Sequence, residues 1–427
     1  MPKNEKWYHL DNAARIFPAV SDTRNTNVYR ISCELVEDIH PELLQRALND
    51  ALQHFECFQV IMRRGLFWFY LEPTSIMPVV ALENARICES IFAKNVKELL
   101  FRVSYYRNRI NLEVFHAVAD GSGAFEFMRQ IVYNYIVLRH GEALPDSLPG
   151  IDTSAPPVNR AEDGFDRHYS TDDKKKPQHE RAYQISGTML PTNSVSLISA
   201  RVPTKDLLAL AKRNNASLTA YLATLMLLAI YHELMPRRLQ GRDIGITVPV
   251  DLRRFFPSMT ARNFFTVVDI RYNFSKGPTD FDTVLSSVKK QLAAKLVAEE
   301  LARAFSFNMS MQKNILSRSI PLALKNVILK AAYIRAEKCT SCAISNLGSI
   351  KMPVELSPYI ERFSCFLNPT PIHRLKICMC SYEDEMVMNF TSCIEESSAQ
   401  RYMLRHLAAE GISTIITTNG SDISEAL

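Results

Sequence analysis

The stretch EVFHAVADGSGAF, Glu113 to Phe125, sets a histidine, an aspartate four residues later and a Gly-Ser-Gly between two different periodicities. Before it, RINLEVF reads as a strand. After it, Phe127, Met128, Ile131, Val132, Tyr135 and Ile136 recur at three- and four-residue steps, which predicts an amphipathic helix running to about Arg139 and stopped by Gly141. A chain with only 13 glycines in 427 residues places two of them in this one connection. The spacing predicts that Gly121 and Gly123 adopt the positive φ values of a tight turn. A histidine at such a strand end is held rigidly with its ring aimed off the sheet. The unperturbed pKa of a histidine, about 6.5, suits it to take a proton from a hydroxyl, amine or thiol. Asp120 either orients His116, pairs with a distant cation to lock the loop, or caps the following helix. Spacing alone favours the plainer pair of roles, a strand-end histidine and a capping aspartate, because H-x-x-x-D is a short pattern. Ser122 is no hydrolase nucleophile: the elbow that presents one needs glycine two residues before and after it, and those positions are Asp120 and Ala124.

Composition narrows the classes. Hydrophobic residues make up 47% and charged residues 22%, as in an ordinary globular protein, and the length suggests at least two cores. A net charge of +5 with scattered Lys and Arg is too mild for nucleic acid, though it suits an anionic small ligand. The N-terminal MPKNEKWYHLDNAARIF lacks a signal-peptide core. The longest apolar run, LTAYLATLMLLAIY (Leu218–Tyr231), falls short of the roughly 20 residues that span a bilayer and reads as a buried helix. A cytoplasmic location without a transmembrane segment is expected. Nine cysteines, an odd number in a large chain, point to reduced thiols. Cys339 and Cys342 have C-x-x-C spacing, with Cys378, Cys380 and His373 nearby, but the second C-x-x-C is missing and LKICMCSY reads as a strand, so no metal site is expected.

Along the chain, NVYRISCEL reads as a strand, HPELLQRALNDALQHF as a helix opening at Pro41, FQVIMRRGLFWFYLEP as a hairpin turning at Gly65, and ESIFAKNVKELLF as a helix. The stretch from Leu144 to Gln184 carries prolines and charges without periodicity and reads as a linker or mobile crossover; its Lys174-Lys175-Lys176 run reads as a solvated segment rather than a phosphate clamp. SVSLISARVP is a strand, Thr204 is placed to cap KDLLALAKRNN, and Ser217 to cap the apolar helix. DIGITVPVDLR and NFFTVVDIRYNF read as strands. Helices follow over about Phe281–Phe305 and Ile320–Ala336, then CAISNLGSI, a hairpin turning at Glu383-Asp384, and a last helix in AQRYMLRHLAAEGIS. The economical architecture is α/β with mixed sheets in two halves: residues 1–143 bearing the histidine loop, a 144–184 connection, and residues 185–427.

FHAVADG resembles the H-x-x-x-D-G signature of the acyl-CoA-dependent acyltransferase superfamily, which includes chloramphenicol acetyltransferase and the condensation domains of peptide synthetases. Where many condensation domains carry two adjacent histidines, this chain has Phe115 and then His116. GITVPVDLRRFF resembles the family's strand ending in a Pro-Val-x-x-Arg turn, ARNFFTVVDIRYNF its Phe-Val-Asn strand, and ISNLGSI the late Ser-Asn-x-Gly turn of alcohol-acetyltransferase-like members. WYHLDNAARIFP is also similar to that bacterial branch, while the plant DFGWG signature is absent.

The resemblance implies two chloramphenicol-acetyltransferase-like domains around a central tunnel with His116 as general base. It implies that Asp120 points away from substrate and pairs with Arg253, Arg254 being the fallback. The reaction implied moves an acyl group, acetyl in the nearest branch, from acyl-CoA or an acyl carrier protein thioester to a small or lipid-like alcohol or amine. The thioester is already activated, so no bound cofactor, metal or covalent enzyme intermediate is required, and the protein would work as a monomer. Oxyanion donors are sought in Ser345, Asn346 and the Gly121 amide; Asn346 reads equally as a turn former beside Gly348. A condensation-like protein working on carrier-bound acyl groups, or an inactive binding partner of the same fold, is the alternative.

Overall fold

Alternation along one strand divides the interior in two. In Leu375–Tyr382, Leu375, Ile377 and Met379 join one apolar cluster, while Cys378, Cys380 and Tyr382 join the other. Side chains of a strand point to opposite faces by turns, so this strand is a wall of both cores. The computed structural model describes residues 7–93, 96–145, 148–151, 161–169, 180–192, 194–313 and 319–419.

The strand is central in a mixed seven-stranded sheet, ordered Phe265–Tyr272, Ile244–Asp251, Cys342–Ile350, Leu375–Tyr382, Glu385–Ser392, Ser196–Pro203 and Ile415–Thr418. Cys342–Ile350 runs parallel to both its neighbours; the other pairings are antiparallel. The apolar run forms the helix Leu218–Ala229, in which every residue but Thr219 is buried, packed beside Phe281–Lys295 and Ser398–Ala409. Among the described residues no single helix is long and apolar enough to cross a membrane.

A five-stranded sheet carries the other core, ordered Ile360–Leu367, Val28–Leu35, Arg109–Phe115, Phe101–Tyr106 and Ala81–Leu82. The helices Pro41–Leu52 and Gly121–His140 pack together over it, burying Leu44, Leu48, Phe127 and Ile131. A small sheet of Tyr8–His9, Phe69–Pro73 and Val60–Arg64 holds the Gly65 hairpin. The class is α/β with mixed sheets.

Ile360–Leu367 lies beyond residue 185 in sequence yet pairs with Val28–Leu35, so one strand of the later half completes the sheet of the earlier one. Other expectations are corrected. No helix occupies the described residues of ESIFAKNVKELLF. Its residues serve separate contacts: the Phe92 ring stacks on Phe115 at 4.9 Å, and the Leu99 backbone forms an antiparallel bridge with Ile61. The helix expected from Phe281 to Phe305 is two, Phe281–Lys295 and Ala298–Lys313, because Leu296 leaves the helical region. Thr204 is the first helical residue rather than the cap; Asp384 in the adjacent hairpin serves that end, accepting from Lys205 N at 3.0 Å. Ser217 does cap its helix, accepting from Ala220 N at 3.2 Å. A closing edge strand, Ile415–Thr418, was not expected. The Lys174–Lys176 run and much of the 144–184 connection lie outside the described residues.

Candidate active site

The strand Arg109–Phe115 ends where the loop begins, and His116 N–H still reaches the Asn27 carbonyl at 2.8 Å. The strand partner therefore fixes the histidine backbone, and rings fix its side chain. Phe17 stacks on the imidazole at 4.7 Å, Tyr29 meets it edge-on at 5.0 Å, and Phe265 from the other half lies at 5.2 Å. Nδ1 stands 3.1 Å from Asn263 Oδ1. Asn263 is itself fully buried and donates from Nδ2 to Asp11 Oδ2 at 3.2 Å. Burial lowers the His116 pKa, with Asp120 and Asn263 pulling in the opposite direction. The ring is accordingly neutral at pH 7, and it is half-buried at the wall of a cavity of about 360 Å³.

Asp120 fills two of the three roles that the sequence left open, the cap and the distant cation pair. It caps the helix Gly121–His140 by accepting from Gly123 N at 3.0 Å, and it takes a two-pronged bond from Arg253, Nη1 to Oδ2 at 2.9 Å and Nη2 to Oδ1 at 3.2 Å. Phe264 N adds a further bond at 2.7 Å. Arg253 spends its other donors on Asp251 Oδ1 and on the carbonyls of Thr260 and Arg262. Ser122 donates to Asp251 Oδ2 at 2.9 Å, a second tie between the loop and the other half. Arg254, the fallback partner, lines the cavity instead.

The two glycines are explained differently from the expectation. Neither has a positive φ; both are the first turn of an ordinary helix. What forbids a side chain is proximity. A Cβ on Gly123 would stand 1.9 Å from the Ala261 carbonyl oxygen, and one on Gly121 would stand 2.6 Å from Leu347 Cδ2. Backbone cannot yield as a side-chain tip can, so Gly123→Ala is expected to destabilise by about 1–3 kcal/mol or more, and Gly121→Ala by less. Urea midpoints of the two variants check the order.

Both halves contribute to the cavity wall. Tyr29, His116, Asp120 and Gly121 come from one, and Val248, Val250, Phe265, Leu292, Leu296, Ser345 and Asn346 from the other. Leu292 lies within the helix Phe281–Lys295 and Leu296 just past its end. Asn346 is the turn former as well: its Oδ1 accepts from Gly348 N at 2.9 Å, and Gly348 takes φ +81°. That leaves Asn346 Nδ2 to face other partners.

Asp11, Asn263, Asp251 and the aromatic rings around the imidazole were not singled out from sequence. HLDNAARIF and ARNFF marked the segments that carry Asp11 and Asn263, but these two polar residues stand 252 positions apart, and no local pattern joins them.

The family model described as phthiocerol/phthiodiolone dimycocerosyl transferase C-terminus matches residues 190–357. No curated protein sequence matches the chain. Among solved structures, polyketide synthase associated protein 5 from Mycobacterium tuberculosis is similar at 14% identity, covering 96% of this chain and 98% of that one with a TM-score of 0.61. The first condensation domain of the CDA synthetase is similar at 14% identity over 95% of this chain and 96% of that one, TM-score 0.58. TRI101 of F. sporotrichioides, complexed with coenzyme A and T-2, is similar at 11% identity over 97% of this chain and 100% of that one, TM-score 0.64. At these identities the likeness is one of fold.

Proposed function

We propose that this chain, whose fold is that of the chloramphenicol acetyltransferase and condensation-domain superfamily, is an acyltransferase that moves an acyl group from a thioester donor such as acyl-CoA to an alcohol or amine, with His116 as general base. The observation that carries this reading is the imidazole itself: clamped between rings, its Nδ1 turned to Asn263, at the wall of a cavity that both halves line. The two lobes are taken as residues 1–143 and 185–427, with Ile360–Leu367 contributed across.

With Nδ1 turned to Asn263, Nε2 is the nitrogen left to act. It takes the acceptor proton as the acceptor oxygen or nitrogen bonds to the thioester carbonyl carbon. The tetrahedral intermediate then expels the thiolate, which takes the proton back from the imidazolium. Holding both substrates in one cavity removes the cost of bringing them together. Negative charge on the carbonyl oxygen falls to donors on the same wall, the Asn346 Nδ2, the Ser345 hydroxyl or the Gly121 amide at the positive end of the Gly121–His140 helix. Asp120 and Arg253 act as the lock that keeps the loop in place. The walls are largely apolar, which suits an uncharged acyl chain, and Arg254 supplies a cation suited to an anionic part of the donor.

The direct test is thiol release from acetyl-, butyryl- and octanoyl-CoA in the presence of pooled alcohols and amines. Acceptor-dependent release supports the reading. Failure of every CoA donor to release thiol, with transfer from a carrier-protein thioester, moves the chain to the condensation-like alternative, and no transfer from either sinks catalysis. The pH profile is a separate prediction. Because burial lowers the His116 pKa, kcat/KM is expected to stay level above pH 7 and to fall tenfold per pH unit below a midpoint under 6.5. The linked stability has the same sign: preference for neutral imidazole stabilises the fold above 6.5 and is lost as pH falls through the folded-state pKa. A midpoint above 7 would assign the limb to another group.

A further inference from the structure

We infer that Asp11 and Asn263 form a two-residue relay that sets the tautomer and the orientation of His116, Asp11 acting through Asn263 as a positioning residue for the base. As a role in catalysis this rests on the function proposed above; as a statement about the imidazole it stands alone.

The argument is one of donors and acceptors. A side-chain amide can present either end to a neighbour, and something must choose. Asp11 chooses. Its carboxylate accepts from Ala14 N at Oδ1, 2.8 Å, and from Asn263 Nδ2 at Oδ2, 3.2 Å, while Arg262 Nη2 stands 3.6 Å from that same Oδ2. A carboxylate offers acceptors only, so Asn263 must turn its NH₂ to Asp11 and its Oδ1 to His116. An oxygen at 3.1 Å then requires the hydrogen on Nδ1 and leaves Nε2 with its lone pair. Asp11 and Asn263 are both fully buried, so no bulk water substitutes for either. The other groups that act on the ring agree or are distant: the His116 carbonyl is also an acceptor, and Asp120 and Lys376 act only through charge. Burial holds the Asp11 carboxyl up at about 6, opposed by Arg262, Ala14 N and Asn263, so it is ionised at pH 8.

The relay predicts an inversion by an isosteric change. In Asp11→Asn, the Ala14 N–H still needs an acceptor, which sends the new NH₂ toward Asn263. Asn263 then flips, its own NH₂ faces Nδ1, and the ring proton is driven to Nε2. Arg262 keeps the carbonyls of His9 and Ala161, which favours a folded variant. The swapped double variant Asp11→Asn/Asn263→Asp restores an acceptor toward Nδ1 and keeps one carboxylate and one amide in the pair.

The test is the ¹⁵N spectrum of histidine-labelled protein at pH 8 without ligand, with His116 assigned by its disappearance in His116→Gln. The wild type is expected to carry the proton on Nδ1, D11N on Nε2, and the double variant on Nδ1 again. Thiol release from the acyl-CoA panel is expected to drop roughly a hundredfold in kcat for D11N with KM little changed, and to recover in the double variant; a merely structural loss would not be rescued by the swap. A wild-type proton on Nε2 overturns the relay, and that reading needs no variant to fold. So does a D11N protein with the wild-type tautomer and rate. The expected spectra together with no acyl transfer by any of the proteins would leave the relay standing and remove the proposed function.

Discussion

His116→Ala is expected to lower acyl transfer by about 10²–10⁴-fold, the usual worth of general acid–base catalysis, with little change in stability. The two halves of that statement have separate grounds. The imidazole is a titratable ring that both halves of the molecule clamp at the cavity wall, and among the described residues the two carboxylates on that wall are both engaged elsewhere. Asp120 is committed to Arg253 and to two backbone amides, and Asp251 to Arg253 and Ser122. Stability is spared because the space left by the ring opens into an existing cavity, so water enters instead of leaving an empty void. Asn263 Oδ1, which loses its partner, is then within reach of that water. Single-turnover transfer and a thermal melt on the same preparation separate the two effects. A variant that transfers at the wild-type rate would show that another base works here. A variant that melts far below the wild type would mean the ring is chiefly a packing residue.

How far the sequence revealed this site follows from the range over which each signal acts. The strand, the helix and the histidine between them are local patterns, and they were legible: Arg109–Phe115 and Gly121–His140 flank His116 as the periodicity implied. Asp120 with Arg253 was named through resemblance alone; 133 residues separate the partners, and nothing in either segment announces the other. The glycines were noticed for their position and misread in cause. A turn's φ is a local property that sequence suggests, whereas the approach of the Ala261 carbonyl to Gly123 exists only after two segments meet. Asp11 is hidden for the same reason: its stretch carries a resemblance, but its partner Asn263 lies 252 residues away. The failed helix at ESIFAKNVKELLF shows the complementary error: intrinsic propensity yielded to tertiary contacts, with Phe92 and Leu99 drawn to different partners.

Arg253→Ala is expected to cost about 3–5 kcal/mol of unfolding free energy, the range seen when one member of a buried ion pair is removed. The side chains are 15% and 6% exposed, and the guanidinium bonds four groups: Asp120, Asp251 and the carbonyls of Thr260 and Arg262. Removal leaves the Asp120 carboxylate buried with only the amides of Gly123 and Phe264. Those two amides keep the loss from being larger, since they still stabilise the charged form. Arg253→Lys preserves the charge but cannot serve the same fork of partners, so it is expected to recover less than half the loss. If the cost comes from the orphaned carboxylate, it must shrink when that charge is removed as well. Asp120→Asn/Arg253→Met is therefore expected to be more stable than the sum of its single variants by at least about 1 kcal/mol, as contacting residues of one network usually are. Urea unfolding of the four proteins supplies the cycle. Strict additivity would mean that the pair contributes nothing beyond its separate bonds, and that the histidine loop is held by the Ser122–Asp251 tie and by packing against Ala261 and Leu347.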